Sequence, residues 1–493
     1  MIHSFPYRGQ NIVVDVYSGS VHLLDDPALF IAEQMEKDPS LVAPENSERA
    51  LTLLLARFEG LKEEEAREIL EEVQGLIQDQ LLLTEDQYGS LSLDLRDRPV
   101  QVKALCLNVA HTCNLDCDYC FASQGKYHGE RALMSFEVAK RSIDFLIENS
   151  GSHRNLDIDF FGGEPLMNWD VVKKTVEYAE SIQEKYHKVF RFTFTTNGVL
   201  LNDEVGEFLN RHMHNVVLSL DGRKEVHDRL RHTIGGKGSY DLIVPKFQKF
   251  VKSRGDQEYY VRGTFTKNNI DFVKDVIHMA NLGFHRLSME PVIGDPSEPY
   301  MLGPEDLKEL EHQYDLLTQE MIRRSRAAHQ ARKEGKAVED LPLEDQPFVF
   351  YHYMLNLEGG PCIYKRISGC GSGTEYMAVT PWGDLYPCHQ FVGDEPYRIG
   401  TVFDGVKKQD LVNDFKECNC YSRPQCKDCW AKLYCSGGCT ANALHASGDI
   451  RGTVPFSCDL FQKRMEGALR LKVEELLQAQ EKEEVEDENL ACS

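Results

Sequence analysis

The sequence contains no long apolar run, whereas a membrane-spanning helix needs about twenty consecutive apolar residues. Its first residues, Met1 to Arg8, contain neither the apolar core nor the cleavage site of a signal peptide. Positive charge is also in short supply, because 55 lysines and arginines face 79 aspartates and glutamates. A chain with a net charge of −24 is repelled by nucleic acids and by anionic membranes. We therefore expect a cytoplasmic protein that binds neither nucleic acid nor membrane.

Cysteine, by contrast, is plentiful. The chain has 15 cysteines, and an odd number of cysteines in a cytoplasmic protein favours metal or redox chemistry over disulfide bonds. The length of 493 residues allows several domains with a large buried core. A composition of 42% hydrophobic and 27% charged residues is typical of globular proteins. The acidic run Glu481 to Glu488 predicts a solvated tail.

Residues 1–90 predict a small winged-helix-like unit of mixed strands and helices. Ile12–Asp15 and Ser20–Leu24 have the composition of short strands, and Leu81–Thr84 predicts a returning strand. Glu85–Pro99 is polar and predicts a linker. Such a unit could be a structural cap or a dimerisation domain, and its third helix is too acidic to favour DNA binding. The apolar spacing predicts helices at Pro27–Met35, Ser47–Phe58 and Lys62–Gln78.

Between Val102 and Gly294 the sequence alternates strand-like and helix-like segments. This alternation predicts an α/β fold of parallel βαβ units with right-handed crossovers. Six such units make an open, partial (β/α)6 barrel, in which chemistry gathers at the C-terminal ends of the strands. The predicted strands are Lys103–Ala110, Leu156–Phe161, Phe190–Thr196, Asn215–Leu220, Tyr259–Thr266 and Arg286–Val292. The predicted helices are Ser135–Asn149, Trp169–His187, Asn202–Met213, Tyr240–Ser253 and Ile270–Leu282, with Ser135 and Asn202 as N-caps.

Short motifs follow the first four predicted strands. Cys113, Cys117 and Cys120 follow the first, and their spacing lets one loop present three thiolates to one face of an iron–sulfur cluster. The other interpretations of this trio are a chance arrangement or part of a zinc site. Gly162-Gly163-Glu164-Pro165 follows the second strand, where glycines permit close approach of a ligand and a carboxylate can accept from an ammonium. Thr195-Thr196-Asn197-Gly198 and Ser219-Leu220-Asp221-Gly222 end the third and fourth strands.

The segment Gly303–Lys336 predicts amphipathic helices that cover the core, with Leu317 and Met321 as packing residues. Arg323–Asp340 predicts a solvated loop. We therefore divide the chain into an N-terminal unit (1–90), a barrel (100–300), a helical bridging segment (301–360), a cysteine-rich domain (361–465) and a terminal helix with acidic tail (466–493).

Seven of the cysteines after residue 365 have ordered spacing. Cys370 is followed by Gly383 and Cys388, then come Cys426, Cys429, Cys435 and Cys439 in a Cx2Cx5Cx3C run, and Cys458 is last. A four-cysteine zinc site is the competing interpretation. The other cysteines are Cys106, predicted to be an inert core residue, Cys418 and Cys420, predicted to be free thiols, Cys362, and Cys492, which has no assigned role.

The run from Cys113 to Cys120 resembles the cluster loop of the radical S-adenosylmethionine (SAM) enzymes, CxxxCx(aromatic)C, with Tyr119 as the aromatic residue. The resemblance implies a [4Fe–4S] cluster on Cys113, Cys117 and Cys120, whose open iron binds the amino and carboxylate groups of SAM. It implies cleavage of SAM to a 5′-deoxyadenosyl radical, and pairing of Arg231 with the SAM carboxylate. The residues expected to bind the cofactor are Tyr119, Gly162, Gly163, Glu164, Pro165, Thr195, Asn197, Ser219, Asp221 and Arg231.

The later cysteines resemble the SPASM extension of radical SAM proteins, which carries two auxiliary [4Fe–4S] clusters. The resemblance implies an outer cluster on Cys426, Cys429, Cys435 and Cys458, and an inner one on Cys370, Cys388 and Cys439. The fourth ligand of the inner cluster is open between Cys362, a vacant iron and a substrate thiolate. With the first cluster, three [4Fe–4S] clusters and SAM are the expected cofactors.

The whole chain resembles ribosomal-peptide maturases, in particular the six-cysteine-peptide (SCIFF) thioether maturases. The segments that carry this resemblance are Asn11–Gly19, Ser368–Gly371 and Tyr386–Gly393. The resemblance implies that the N-terminal unit binds the leader of a cysteine-rich precursor peptide by strand addition. It also implies an external electron donor, and attack of a peptide cysteine thiolate on a carbon radical to form a thioether. The alternatives are a sulfatase-type maturase that makes formylglycine, a carbon–carbon crosslinking enzyme, and a zinc-bearing peptide-binding adaptor.

Overall fold

The computed structural model describes residues 1–127, 129–295, 297–357, 359 and 362–491, and their side chains except at 93, 94, 96 and 482–491. The chain begins with an antiparallel sheet of β1 (Ile2–Tyr7), β2 (Gln10–Asp15) and β3 (Val21–Leu24), with β2 in the middle. Helices α1 (Asp26–Lys37), α2 (Ser47–Arg57) and α3 (Glu63–Gln78) follow, close to their predicted bounds.

The central strand β2 joins this N-terminal unit to the rest of the molecule. Its side chains alternate between two faces, as strand geometry requires. Val13 packs with α1, α2 and α3 in one apolar cluster, while Ile12 and Val14 belong to the main core of the protein. The N-terminal sheet is therefore buried on both sides.

Three expectations for the N-terminal region need correction. β1 is missing from the sequence prediction, and Pro6 is tolerated in it because β1 lies at a sheet edge. Leu81–Thr84 is not a strand, since Gln80 and Leu83 adopt left-handed backbone with φ of 58° and 53°. The linker predicted at residues 85–99 contains α4 (Leu91–Asp97), because Leu95 packs beside Ile367.

Six adjacent parallel strands form the partial barrel and confirm the predicted α/β class. They lie within one residue of the predicted bounds, as β4 (Ala104–Ala110), β6 (Asn155–Gly162), β7 (Val189–Thr196), β8 (Asn215–Ser219), β10 (Tyr259–Phe265) and β11 (Arg286–Pro291). The helices between them are α5 (Phe136–Asn149), α6 (Trp169–Tyr186), α7 (Asp203–His212), α9 (Tyr240–Arg254) and α10 (Phe272–Asn281). Ser135 and Asn202 cap α5 and α7 as predicted, each accepting from a backbone N–H three residues on. The sequence did not predict β5 (Leu115–Cys117), α8 (Lys224–Leu230) and β9 (Arg231–Thr233).

The sheet continues beyond both edges of the barrel to a total of 11 strands. At one edge β12 (Val349–Phe350) pairs in parallel with β11. At the other edge β13 (Tyr376–Val379) pairs in parallel with β4, and Tyr376 lies opposite Ala104. The antiparallel strands β14 (Asp384–Tyr386), β15 (Gly400–Thr401) and β16 (Gly405–Val406) complete it. The cysteine-rich region thus begins within the barrel sheet.

A long helix, α11 (Leu307–Lys333), covers the core as predicted, with Leu317 and Met321 buried in it. The loop predicted at Arg323–Asp340 is wrong over its first half, because α11 continues to Lys333. Arg324 is 1% exposed and pairs with Glu320 at 2.6 Å, so this charged stretch is anchored inside the protein.

The remaining helices are α12 (Ile363–Ser368), α13 (Gln409–Glu417), α14 (Lys432–Cys435), α15 (Thr440–Ser447) and α16 (Pro455–Ala491). α16 lies along α11. The boundary expected at residue 466 falls inside α16, and the backbone of the acidic run also belongs to this helix. None of the helices in the described ranges has the length and apolarity that crossing a bilayer requires.

Candidate active site

The predicted cluster cysteines lie on a loop that leaves the C-terminal end of β4. Within this loop β5 pairs antiparallel with β9, and Cys117 stands opposite Arg231. Burial raises the pKa of the Cys117 thiol to about 12, Arg231 opposes this rise, and the thiols of Cys120 and Cys113 add to it. Such mutual influence requires the three sulfurs to be close together. The loop therefore carries its three thiols in one region at the C-terminal end of β4.

The two glycines of the second motif make room for this loop. A Cβ on Gly162 would overlap the carbonyl of Ala110, and Gly162 has a φ of 129°, which favours glycine. A Cβ on Gly163 would overlap the carbonyl of Thr112, next to Cys113. The Gly163 and Glu164 N–H groups donate to these two carbonyls at 2.7 and 3.0 Å. The glycines thus let the cysteine loop lie directly on the end of β6.

Glu164 is fully buried and points into the protein. Its carboxylate accepts from Thr196 Oγ1 at 2.8 Å and from the N–H groups of Asn197 and Leu166 at 2.8 and 3.1 Å. Burial raises its pKa to about 7, although these donors lower it. The structure shows Glu164 joining the ends of β6 and β7, and its expected contact with the SAM ammonium stays a prediction.

Asp221, at the end of β8, binds two of the other predicted residues. Its Oδ2 accepts from Tyr119 Oη at 2.6 Å and from Arg231 Nε at 2.9 Å. Its Oδ1 accepts from the Thr264 N–H at 2.9 Å, and Asp221 has no exposed surface. Arg231 also lies over the Tyr119 ring, 5.4 Å from its centre. Asp221 therefore fixes both the aromatic residue of the cysteine loop and the arginine opposite Cys117.

The other predicted residues lie at the same end of the barrel. Asn197 Nδ2 donates to Asn114 Oδ1 at 2.8 Å and lies 3.6 Å from Cys113 Sγ, so it supports the cysteine loop. Pro165 is buried at the start of a short turn after β6. Thr195 and Ser219 are half-buried at the ends of β7 and β8. Their contacts with SAM stay predictions.

The four cysteines of the predicted outer set converge. Burial raises the pKa of Cys435 to about 12, and Cys458, Cys426 and Cys429 raise it further. Cys426 and Cys429 flank a turn, Cys435 ends α14, and Cys458 lies in the first turn of α16. Three separate elements thus bring this set together. Cys420 is fully buried, and burial raises its pKa to about 12, with further contributions from Cys426 and Cys435.

The predicted inner set converges as well. Burial raises the pKa of Cys388 to about 12, and Cys439 and Cys370 contribute to this rise. Cys362 is exposed at the N-terminus of α12, the helix whose other end precedes Cys370. Cys106 is buried in β4, as a core cysteine should be, and Cys492 lies outside the described residues. In the described ranges, no group of three or more His, Cys, Asp or Glu side chains is close enough to hold a single metal ion. The sulfurs of each cysteine set are therefore further apart than the ligands of one ion.

The sequence prediction missed a group of charges at the end of β11. Glu290 Oε1 lies 3.0 Å from His352 Nε2, and Glu290 Oε2 lies 3.8 Å from Nη1 of Arg464 on α16. Arg262 lies on the face of β10 opposite to buried Val261, and its charge acts on both Glu290 and His389, the residue after Cys388. The barrel rule could have identified Glu290 as a carboxylate at a strand end. His352 and Arg464 have no sequence signal, since they come from distant segments.

We expect Glu290→Gln to weaken the pH dependence of stability in acid. Burial raises the Glu290 pKa, but His352, Arg464 and Arg262 outweigh burial and lower it from 4.5 to about 2. A lowered carboxyl pKa stabilises the folded state above the unfolded value, and this stabilisation is lost as the pH falls from about 4.5 towards 2. Urea unfolding of iron-free protein at several pH values should therefore show a smaller loss for the variant than for the wild type.

Glu258→Gln is a matched control for this prediction. Glu258 pairs with Arg286 at 2.7 Å at the opposite end of the same strands, but its side chain is 52% exposed. Exposed ion pairs contribute little to stability. The control should follow the wild-type pH dependence, and identical curves for both variants would show that the charges around Glu290 do not keep it ionised.

The parallel sheet with a cysteine loop at its C-terminal edge defines a class of enzyme domain. Residues 107–277 match the family model of the Radical SAM superfamily, and this part of the chain is a radical SAM domain. The prediction of such a domain is confirmed. The family implies a [4Fe–4S] cluster and SAM, and the clustered thiols of Cys113, Cys117 and Cys120 fit that group.

Comparisons over longer stretches show the same relationship. The chain is 26% identical over 350 residues to a cysteine-type anaerobic sulfatase-maturating enzyme of Clostridium novyi, covering 67% of this chain and 85% of that protein. The structure of anSMEcpe with bound AdoMet and Cp18Cys peptide is 20% identical, covers 76% of this chain and 99% of its own, and has a TM-score of 0.58. Streptococcus suis SuiB bound to S-adenosylmethionine is 16% identical, with coverage of 92% and 97% and a TM-score of 0.50. The structural likenesses show a shared fold.

Proposed function

We propose that the protein is a maturase that forms intramolecular thioether crosslinks in a ribosomally made, cysteine-rich precursor peptide. The observation that carries the proposal is the docking of the N-terminal sheet against the region of the outer cysteine set. The His3 ring on β1 stacks on Trp430, with ring centres 3.9 Å apart, and Trp430 directly follows Cys429. Lys432 Nζ donates to Tyr17 Oη at 3.1 Å, and Tyr17 lies just after β2. A peptide-binding unit and a redox region in direct contact suit an enzyme that acts on a bound peptide.

The N-terminal sheet offers an edge to a peptide. β3 lies at one side of the β1–β2–β3 order, and its four residues are all half-buried. An extended leader peptide could add there as a further strand, with main-chain hydrogen bonds supplying affinity. The anSMEcpe structure holds a peptide together with AdoMet, which supports a peptide substrate for a protein of this fold.

The chain's own residues would position the reactants. Cys113, Cys117 and Cys120 would hold the first cluster, and the bound cluster and SAM supply the chemistry that removes a hydrogen atom from a peptide carbon. Asp221 holds Arg231 through Nε, and the Arg231 guanidinium would bind the SAM carboxylate, as the family resemblance implies. Gly162 and Gly163 keep the backbone of β6 close to the cysteine loop. Arg262 on β10 and Glu290 on β11 are charged residues of neighbouring strands, and they would help to orient the peptide.

The later cysteines would complete the redox system. Cys426, Cys429, Cys435 and Cys458 would hold an outer auxiliary cluster, and Cys370, Cys388 and Cys439 an inner one with its fourth position open. A metal-bound thiol is deprotonated, so the inner site could prepare a substrate thiolate without a separate base. Thioether formation removes one hydrogen atom, one proton and one electron from the peptide, and the electron would leave through an auxiliary cluster. An external electron donor would reduce the first cluster.

We expect Cys429→Ala to retain SAM cleavage but to stop crosslinking. Cys429 belongs to the outer set and is separate from the first cysteine loop, so its loss should leave the first cluster in place. A short cysteine-rich peptide encoded beside the gene is the substrate to test. Mass spectrometry should show a loss of two hydrogens per bond with the wild type and none with the variant, while both release 5′-deoxyadenosine. Normal crosslinking by the variant would refute the role of the outer set.

A sulfatase-type maturase is the second candidate, because the Clostridium novyi relative bears that name. The structure of anSMEcpe covers 99% of its own length but only 76% of this chain, which leaves part of this chain without a counterpart. Formylglycine in the product instead of a thioether would favour this candidate, and carbon–carbon crosslinks would be distinguished by retained free thiols. A colourless protein that contains zinc after anaerobic purification would favour a non-catalytic adaptor.

A further inference from the structure

Arg423 is a buried cation next to the later cysteines. Its side chain is 1% exposed, and the turn that carries Cys426 begins directly after it. Its terminal nitrogens donate to the Gly452 carbonyl and, at 3.2 Å, to Cys418 Sγ. Its Nε has no hydrogen-bond partner within the described part of the chain. The guanidinium thus has only neutral partners and one unsatisfied donor.

Among the side chains that the structure describes, no carboxylate forms an ion pair with Arg423. The equally buried Arg324, by contrast, pairs with Glu320 at 2.6 Å. Burial of a cation without a counter-charge is strongly unfavourable, so buried charges in proteins are paired or lie beside a metal group. Arg423 therefore needs a negatively charged group nearby. The neutral thiols around it do not provide one.

The charge of Arg423 acts on thiols of both cysteine sets. Burial raises the pKa of Cys426 to about 11, and the charge of Arg423 is the largest influence that lowers it. Arg423 also lowers the pKa of Cys458 in the outer set and of Cys439 in the inner set, against the effect of burial. The cavity beside Arg423, of about 240 Å³, is also lined by Cys370 of the inner set. Arg423 thus precedes the turn that carries a cysteine of the outer set and shares a cavity with a cysteine of the inner set.

We propose that Arg423 is the shared counterion of the two auxiliary iron–sulfur clusters. The inference rests on the ligand sets given under the proposed function. Thiolate-bound clusters carry negative charge, and a fixed cation nearby stabilises their reduced, more negative form. Arg423 would then raise the reduction potential of both clusters, and it would be stabilising only when they are present. In the iron-free protein the same side chain is a buried, unbalanced charge.

Arg423→Met should therefore have opposite effects on stability in the two forms of the full-length protein. Methionine keeps much of the length of arginine but removes its charge. The melting temperature of the variant should be lower than that of the wild type with iron bound, and higher after anaerobic removal of iron with a chelator. Lys427→Met is the matched control, since Lys427 is an exposed cation next to Cys426. It should change neither melting temperature appreciably.

Redox titrations give a second, independent test. In a background with Cys113, Cys117 and Cys120 all replaced by alanine, only the auxiliary clusters contribute to the electron paramagnetic resonance spectrum. Arg423→Met should shift both midpoint potentials to more negative values, Arg423→Lys should restore most of the shift, and Lys427→Met should leave them close to the wild type. If the iron-free protein does not fold, these potentials alone decide.

Two results would overturn the proposal: equal destabilisation of both forms by Arg423→Met, or unchanged potentials in that variant. Failure of the ligand sets themselves gives a different result. In that case the wild-type protein would contain iron for the first cluster only, and the triple-alanine background would contain none.

Discussion

Replacing Cys117 with alanine should abolish the reductive cleavage of SAM. Cys117 lies opposite Arg231 in the β5–β9 pairing, and its thiol is grouped with those of Cys113 and Cys120. The loop is expected to provide three ligands for the cluster, so loss of one would leave too few to hold it with an open iron. We expect the release of 5′-deoxyadenosine by dithionite-reduced protein to fall by more than about 10³-fold, as for loss of an essential catalytic group.

Cys106→Ala is the matched control for this variant. Cys106 is 1% exposed in β4, the strand that leads to the cysteine loop. Its replacement removes one buried sulfur and should cost about 1 kcal/mol of stability without loss of SAM cleavage. Cleavage by Cys117→Ala at a rate near that of Cys106→Ala would show that the loop does not hold the catalytic cluster.

The barrel strands were predictable because their signals are local. Most of the strands are short apolar runs, each of the five helices has an apolar face, and Ser135 and Asn202 cap two of these helices. The attachment of β13 to β4 was not predictable, because it pairs Tyr376 with Ala104 across most of the chain. The length of α11 was misjudged because Arg324 has the sequence character of a surface residue, and only the fold shows that Glu320 and the Gln346 carbonyl enclose it.

The candidate site divides in the same way. Sequence spacing predicted three sets of cysteines, and the thiols within each set influence one another's pKa in the structure. Sequence spacing did not identify the hydrogen bonds that hold the site in shape, because their partners come from distant segments of the chain. Tyr119 and Asp221 are 102 residues apart, and Glu164 receives its donors from Thr196 and Asn197 on the next strand. Arg423 has no sequence signal either, because its significance lies in the absence of a carboxylate from its surroundings in the described structure.

Contacts between the N-terminal sheet and the C-terminal helix α16 hold the N-terminal unit beside the cysteine-rich region. Glu474 on α16 accepts from Tyr7 and pairs with Arg326 at 2.6 Å, and the Glu474 side chain is 3% exposed. Burial raises the Glu474 pKa, but Arg326 and Tyr7 outweigh burial and lower it to about 2. With the stacking of His3 on Trp430, this contact fixes β1 beside the outer cysteine set. A leader bound at the N-terminal sheet would therefore be held at a defined distance from the barrel opening.

Asp221→Asn should destabilise the protein by about 3–5 kcal/mol, because it leaves the Arg231 guanidinium buried without its counter-charge. The Arg231 side chain is 14% exposed and that of Asp221 is fully buried, so solvent cannot replace the lost carboxylate. Because both oxygens of Asp221 accept hydrogen bonds, the NH2 group of the amide would face a donor in either orientation, Arg231 Nε or the Thr264 N–H. Urea unfolding at neutral pH measures the loss. Because Arg231 stands opposite Cys117, the variant should also retain less iron in the first cluster.

Two comparisons separate this ion pair from a general effect of the substitution. Asp241→Asn removes the carboxylate of an exposed pair with Lys224, whose side chains are 74% and 51% exposed, and should leave stability unchanged. The double variant Asp221→Leu with Arg231→Met removes both charges together and should regain much of the stability lost in Asp221→Asn, since the penalty comes from one unpaired charge. It should not regain SAM cleavage, because Arg231 is expected to bind the SAM carboxylate. Recovery of cleavage would show that Arg231 only holds the cysteine loop, and equal stability of Asp221→Asn and Asp241→Asn would show that the Asp221 carboxylate is not what holds Arg231.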